Sequence, residues 1–351
     1  MRAILMNMVP RWKGGIVVSG NDFDYNAAFQ INSGILSQSE QEKLRKARIT
    51  IVGVGGAGGV IAIMLARSGV GNFDLIDFDT YSISNINRQI GCFLDTIGKY
   101  KVDVIKSEIL RINPEAEINA ISRKLSLSEL GELLEKSDVY FSEADDLAYS
   151  THSIIMAQKM RKLAISFMPS GMTGYVMVFP PDLKRVLDPT DMMGGPVGLD
   201  YDSLSDFQRD EVCRKGRRWY ITEGKMRIAW FRKWCAGEAT LTQLCPSVWA
   251  GASLASVEAI KYITGKWENV RAPKMWRLEL AYNRIQARVF RRRTWLFSKY
   301  IYKVMGIKKF GIGKAIQKST LKSLDRDLAR MEREEAQGKT PRLPFMWRYI
   351  I

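Results

Sequence analysis

Histidine is nearly missing from this chain, His152 being the only one, so a cysteine nucleophile elsewhere has no imidazole base to activate it. Cysteine is sparse as well. Cys92, Cys213, Cys235 and Cys245 stand far apart with no C-x-x-C pair, which supports neither a disulfide framework nor a structural zinc. A secretory signal is not visible, because the first residues (MRAILMNMVPRWKGG) offer only a short apolar patch interrupted by Asn7. The one run long and uncharged enough to imitate a membrane span, Ile49 to Leu65, holds five glycines at turn spacing. These features predict a soluble, cytoplasmic protein without a membrane span. Acid is under-represented: 53 Lys+Arg face 37 Asp+Glu, a net charge of +16.

What is present can build a large core. With 351 residues, 46% of them hydrophobic, the chain has room for one large domain or two smaller ones. Its organising stretch is Ile49 to Arg88. A β-branched run, Ile49 to Val52, breaks into Gly53-Val54-Gly55-Gly56-Ala57-Gly58-Gly59, and Val60 to Arg67 follows at helical spacing. Strand, glycine turn and helix make a phosphate cradle. Gly53 permits the turn, Gly55 lets backbone approach a phosphate, Gly58 lets the helix pack on the strand, and the first helical amides face the anion. A second apolar strand, Asn72 to Ile76, then ends in Asp77, near the offset of a carboxylate that holds a ribose.

An ordinary dinucleotide fold needs no cations beyond that acid, yet Asp77-Phe78-Asp79 is followed by Asn85, Asn87, Arg88 and Gln89, then by Lys101 in Gly98-Lys99-Tyr100-Lys101. An Arg and a Lys so placed suit a triphosphate, whose outer charges must be neutralised and oriented. The order G-x-G-G-x-G, DFDTxxxSNxxRQ, GxxK and a late acidic pair resembles the ThiF/MoeB/HesA adenylyltransferases, which share their core with ubiquitin-activating enzymes. That resemblance covers about Gln30 to Gly265. It implies ATP and Mg²⁺ as ligands and a homodimer. Residue by residue it gives Gly53, Gly55, Gly56 and Gly58 to backbone approach, Asp77 to the ribose with Asp79 beside it, Asn85 and Arg88 to the triphosphate, Lys101 to the phosphates near the reacting centre, and Asp145 to Mg²⁺. One departure stands out: the family's N-terminal arginine, which reaches the neighbouring subunit's ATP, falls on Phe29. Arg11 and Arg48 are the nearest substitutes, and Phe29 reads as packing at a dimer interface.

The rest of the pattern alternates. Residues 1 to 47 read as an arm whose helix, Ser37 to Lys46, opens on a capping box formed by Ser37 and Glu40. Helices are predicted over Lys101 to Ile112, Leu127 to Leu134 and Ala148 to Lys159, with strands over Ala116 to Ile121, Asp138 to Phe141, Leu163 to Phe167 and Tyr175 to Phe179. The strand at Asp138 runs into Ser142-Glu143-Ala144-Asp145-Asp146, and carboxylates at the C-terminal end of a parallel strand lie where open α/β sheets bind ligands. Magnesium takes one or two carboxylates plus phosphate oxygens and water, so Asp145 is adequate. Together these elements predict an α/β, Rossmann-like, doubly wound and mostly parallel sheet with an antiparallel extension.

Residues 182 to 242 lack a clear period and hold many basic and aromatic side chains; so long an irregular stretch is usually functional. By resemblance it carries the crossover loop and substrate channel. Cys213 and Cys235 lie there without a base nearby and read as bystanders, although basic neighbours can depress a thiol pKa. A late helix, Pro246 to Lys261, and two strand-like runs, Met275 to Leu280 and Arg284 to Phe290, close a core spanning residues 48 to 290. The zinc-binding C-x-x-C pairs of many family members are missing, so no zinc is expected. Residues 291 to 351 carry 16 Lys+Arg against 5 Asp+Glu, net +11, and read as a basic helical extension with helices over Trp295 to Lys303 and Ser319 to Gln337. It suits a solvated extension or a docking surface for an acidic peptide; no nucleic-acid motif is present.

The implied chemistry is attack of a carboxylate on the α-phosphorus of ATP. Missing zinc pairs, no well-placed cysteine and the positive excess favour a short acidic precursor peptide as substrate, as in the enzymes of microcin C and pantocin biosynthesis. The alternatives are a ubiquitin-like sulfur-carrier protein, or a recognition protein that binds nucleotide without turnover. A nicotinamide-dependent oxidoreductase would leave Arg88, Lys101 and Asp145 without a task.

Overall fold

The computed structural model describes residues 23–187, 189, 227, 229–230, 233, 238–240, 242–289, 326–327 and 329–339. A short helix α1 (Tyr25–Ala28), capped by Asp24, precedes α2 (Gln38–Lys46). The expected capping box is formed there: the Glu40 amide donates to Ser37 Oγ at 3.3 Å, and the Ser37 amide donates to Glu40 Oε2 at 2.7 Å. β1 (Arg48–Val52), α3 (Gly58–Arg67) and β2 (Asn72–Ile76) follow, so the span-like run divides at its glycines into a strand and a helix. Among the described residues no helix is long and apolar enough to cross a membrane. Next come α4 (Lys101–Ile112), β3 (Glu117–Ile121), α5 (Leu127–Lys136), β4 (Val139–Ser142), α6 (Leu147–Lys159), β5 (Leu163–Ser170) and β6 (Thr173–Phe179). The described chain closes its core with α7 (Cys245–Thr264), β7 (Lys274–Glu279) and β8 (Arg284–Val289).

All eight strands form one sheet in the order β3-β2-β1-β4-β5-β6-β7-β8. The first five are mutually parallel and the last three antiparallel, as the sequence pattern predicts. Side-chain alternation along each strand feeds two cores. Ile49, Ile51, Val139 and Phe141 pack with α3, α4 and α7 on one face, while Val52 and Tyr140 pack with Leu130, Leu134, Ala148 and Ile154 of α5 and α6 on the other. A sheet covered on both faces explains why β1, β2 and β4 are buried on both sides, with the polar Thr50 hydrogen-bonded to Asp74 at 3.3 Å inside it.

Two expectations are corrected. β5 runs on beyond Phe167 and β6 begins before Tyr175, because Pro169 pairs with Gly174 and Ser170 with Thr173 across a tight hairpin at Gly171 and Met172. Phe29 packs inside its own subunit, 93% buried, its ring 4.6 Å from that of Tyr25. Arg48 opens β1 at the end of the sheet away from the glycine turn, where its guanidinium pairs within the chain with Asp74 at 3.6 Å and Glu117 at 3.1 Å. Arg11, Cys213, Cys235, the helix over Trp295 to Lys303 and most of the 182 to 242 segment lie outside the described residues. Residues 329–336 are helical, and Arg330 reaches Glu334 at 2.6 Å with the i,i+4 spacing expected of that charged stretch.

Candidate active site

The order β2-β1-β4 places the reversal of strand direction of travel between β1 and β4, and a crevice opens beyond the C-terminal ends of these strands. Gly53, Gly55, Gly56, Gly58, Asp77, Asp79, Asn85, Arg88, Lys101 and Asp145 all lie on the segments that follow β1, β2 and β4. The glycine turn after β1 is held from two sides. Gly53, with φ +90°, lies against the segment after β4, where a Cβ would stand 2.5 Å from the Glu143 carbonyl, and a Cβ at Gly58 would overlap the Gly53 carbonyl oxygen. The fold itself requires glycine at both. Gly55 and Gly56 differ: a Cβ there would meet only ordinary contacts, 3.6 Å from Gln89 Nε2 and 3.4 Å from Arg88 Cγ. Protein packing does not demand glycine at these two positions, so the relief they leave is available to a ligand.

Asp77 follows β2 and binds the turn directly. Its Oδ2 accepts from the Val54 amide at 2.8 Å and its Oδ1 from the Asp79 amide at 2.9 Å. Burial raises its pKa, and the Lys101 ammonium pulls it back down. Asp79 in turn accepts from Lys101 Nζ at 2.8 Å, and the Lys101 amide donates to the Asp79 carbonyl at 3.1 Å. The lysine side chain is 92% buried while that of Asp79 is half exposed, so the ammonium sits beneath a carboxylate at the mouth of the crevice.

Arg88 arrives on the loop between β2 and α4. Its stem passes over Gly56, and its Nη1 donates to Asn87 Oδ1 at 2.8 Å and to the Ser84 carbonyl at 3.2 Å. Nε is buried with no hydrogen-bond partner. Burial lowers the guanidinium from its ordinary value, and the Asp145 carboxylate is near enough to raise it again. Asn85 spends Oδ1 on the Ser82 amide at 3.0 Å, which leaves its NH₂ group to donate.

The acids after β4 separate by their commitments. Glu143 Oε1 accepts from the Phe167 amide of β5 at 2.8 Å, and burial pushes its pKa well above the usual carboxylate range. Asp146 caps α6, accepting from the Tyr149 amide at 3.0 Å, and pairs with Lys124 at 3.4 Å. Asp145 is exposed and has no hydrogen bond or ion pair among the described residues, so of these three it alone is unspent. No group of three or more His, Cys, Asp or Glu among the described residues could enclose a metal ion. A divalent cation at Asp145 would thus draw its remaining ligands from phosphate and water.

Other neighbours escape sequence reasoning. The chain returns through Thr242 and Gln243 beside Gly171, Asn87 Nδ2 donates to the Gln243 carbonyl at 3.1 Å, and Trp249 Nε1 donates to the Arg88 carbonyl at 2.9 Å. Gln89, 93% buried beside Gly55, has its Oε1 unpartnered. Their separation in sequence from the glycine turn gives no local signal for Gln243 and Trp249; Gln89 is adjacent to Arg88 and was within reach of the motif.

A mostly parallel α/β sheet with a glycine turn after β1 and with Arg88, Lys101 and Asp145 on the segments beyond its C-terminal strand ends defines a protein of the doubly wound type. Comparison with known proteins narrows this: the ThiF family model matches residues 28–294, and the chain belongs to the ThiF family. It is 35% identical over 138 residues to the molybdopterin-synthase adenylyltransferase of Escherichia coli strain K12, covering 39% of this chain and 49% of that protein. It is 32% identical over 151 residues to the tRNA threonylcarbamoyladenosine dehydratase of Haemophilus influenzae, covering 43% of this chain and 58% of that protein. The chain thus spans about half the length of the curated relatives it matches. Among solved structures it shares its fold with the microcin C7 biosynthetic enzyme MccB in complex with N-formylated MccA, at TM-score 0.58 and 20% identity over 76% of this chain and 74% of that one. PaaA is similar at TM-score 0.55 and 22% identity, over 82% of this chain and 80% of that one.

Proposed function

We propose that this protein is an ATP-dependent adenylyltransferase that activates a carboxylate of a short, ribosomally made acidic peptide. The observation that carries the reading is the convergence of Arg88, Lys101 and the unspent Asp145 on a crevice whose floor, at Gly55 and Gly56, has relief that packing does not require. In this reading the glycine turn approaches the phosphates, Asp77 takes the ribose and Asn85 donates to the triphosphate. Asp145 holds Mg²⁺ together with phosphate oxygens and water. A carboxylate oxygen attacks the α-phosphorus, the bond to the β-phosphate breaks, and pyrophosphate leaves with its electron pair. The nucleophile is already ionised at neutral pH, so no base is needed, and positioning with charge neutralisation by Arg88 and Lys101 supplies the acceleration. An amine or amide of the same peptide then captures the acyl adenylate and releases AMP.

The peptide reading draws on the fold shared with MccB and on the chain's +16 charge. The test is pyrophosphate release from ATP with a short acidic peptide as the carboxylate donor. Lys101→Ala and Asp145→Ala each lower it at least about 10²- to 10³-fold in a protein of unchanged melting temperature; wild-type turnover in either refutes the site. The identity to the molybdopterin-synthase adenylyltransferase favours a second reading, activation of the C-terminus of a ubiquitin-like sulfur carrier. That reading predicts stimulation by such a carrier and loss of product transfer in Cys213→Ala or Cys235→Ala. A homodimer accompanies either reading, and a solution mass at twice 39.9 kDa supports it.

A further inference from the structure

We infer that Asp79 is a positioning residue for Lys101 and makes no contact of its own with the nucleotide. The inference rests on the adenylation reading and gives one of its carboxylates a different task. A carboxylate beside a triphosphate repels it, so Asp79 at the mouth of the crevice costs nucleotide affinity. What it supplies is geometry. The Lys101 side chain is 92% buried, and a buried ammonium needs a partner to hold it ionised in place. Asp79 Oδ2 provides that partner at 2.8 Å and engages one of the three ammonium protons. Two protons remain for phosphate oxygens, and their direction is set by the bond already made.

The carboxylate is itself fixed through the backbone. Its amide donates to Asp77 Oδ1, its carbonyl accepts from the Lys101 amide, and the adjacent Thr80 and Tyr100 are bridged antiparallel. Asp77 reaches the glycine turn through the Val54 amide. A continuous chain of hydrogen bonds therefore runs from the turn to the lysine. The ammonium is registered against the phosphate cradle, although the two lie 47 residues apart in sequence when counted from Val54 to Lys101.

The test uses the full-length protein, with pyrophosphate release from ATP in the presence of the same short acidic peptide as turnover and titration of a non-hydrolysable ATP analogue as affinity. Asp79→Ala lowers turnover about 10- to 100-fold while analogue affinity stays equal or rises, because a repelling charge is gone. Asp79→Asn, whose Oδ1 still accepts from the ammonium, recovers most of the turnover; Asp79→Ser, too short to reach Nζ, behaves like alanine and replaces it if alanine does not fold. The double variant Asp79→Ala/Lys101→Ala is no slower than Lys101→Ala alone, since the carboxylate acts only through the lysine. Weakened analogue affinity in Asp79→Ala, or a double variant clearly slower than Lys101→Ala, overturns the inference in favour of direct nucleotide contact. Silence of Asp79→Ala beside a defective Lys101→Ala also overturns it and leaves the adenylation reading standing. A silent Lys101→Ala overturns the adenylation reading itself.

Discussion

The parallel and antiparallel halves of the sheet are built on different terms. In the parallel half β4 is buried throughout and β1 and β2 at all but their first residues, while only the edge strand β3 is open to solvent. In the antiparallel half β6 is wholly buried, β7 is mixed, and β8 has five of its six residues exposed. Helices on both faces leave β1, β2 and β4 no room for change, and the segments after their C-terminal ends carry the candidate site residues. The outer antiparallel strands are tied to the rest by a few specific side chains. Chief among these is Glu258 of α7, fully buried, which accepts from Lys261 Nζ at 2.8 Å, Asn269 Nδ2 at 2.8 Å, the Val270 amide at 3.0 Å and Trp276 Nε1 of β7 at 2.9 Å. Chemistry is placed where the scaffold is stiffest, and sequence freedom where it is thinnest.

That contrast can be broken deliberately. Gly58→Val in the parallel half forces a branched side chain into the Gly53 carbonyl and the Ile51 side chain; it costs more than about 4 kcal/mol and yields no cooperative melting transition. Glu258→Ala strikes the knot between the halves: it leaves Lys261, Trp276 and the Val270 amide without their acceptor and lowers stability by about 3–5 kcal/mol in a denaturant titration. Lys101→Ala spares stability and reduces turnover at least about 10²- to 10³-fold, so catalysis and folding separate within the parallel half. Ile285→Lys on the exposed β8 changes stability by less than about 0.5 kcal/mol; a larger loss would mean that the outer edge is not thin at all.

A final variant sharpens the comparison through pH. Glu129, in the capping box of α5, has its pKa lowered to about 2, first by the hydrogen bond from Arg123 and then by that from the Ser126 amide. A depressed carboxylate stabilises the fold above its ordinary value of 4.5 and loses that contribution as pH falls towards about 2. Glu129→Gln therefore melts slightly below the wild type at pH 7, and the two curves converge by pH 2. No such convergence would remove the capping carboxylate as the cause.

Much was legible in the residues because its causes are local. Alternation, glycine spacing and capping chemistry act within a few positions, so the strands β1 and β2, the glycine turn, the Ser37 box and the outer charged helix could be written from neighbours alone. The ThiF family was legible for the same reason, its motif being carried on consecutive loops. The ends of β5 and β6 were set short because the pairing of residues 168 to 170 with residues 173 to 175 is a cross-strand contact that no local preference announces. Phe29 misled because only packing could say whether an apolar side chain faces its own core or a neighbour.

The order of residues by itself determined the α/β alternation and which loops carry charge, since both follow from period and composition within short windows. Tertiary structure alone decided which glycines the fold needs and which it leaves open, which of three consecutive-region acids remains unspent, and which carboxylate holds the lysine. Those outcomes depend on atoms brought within 3 Å from distant segments, and no local window contains that distance.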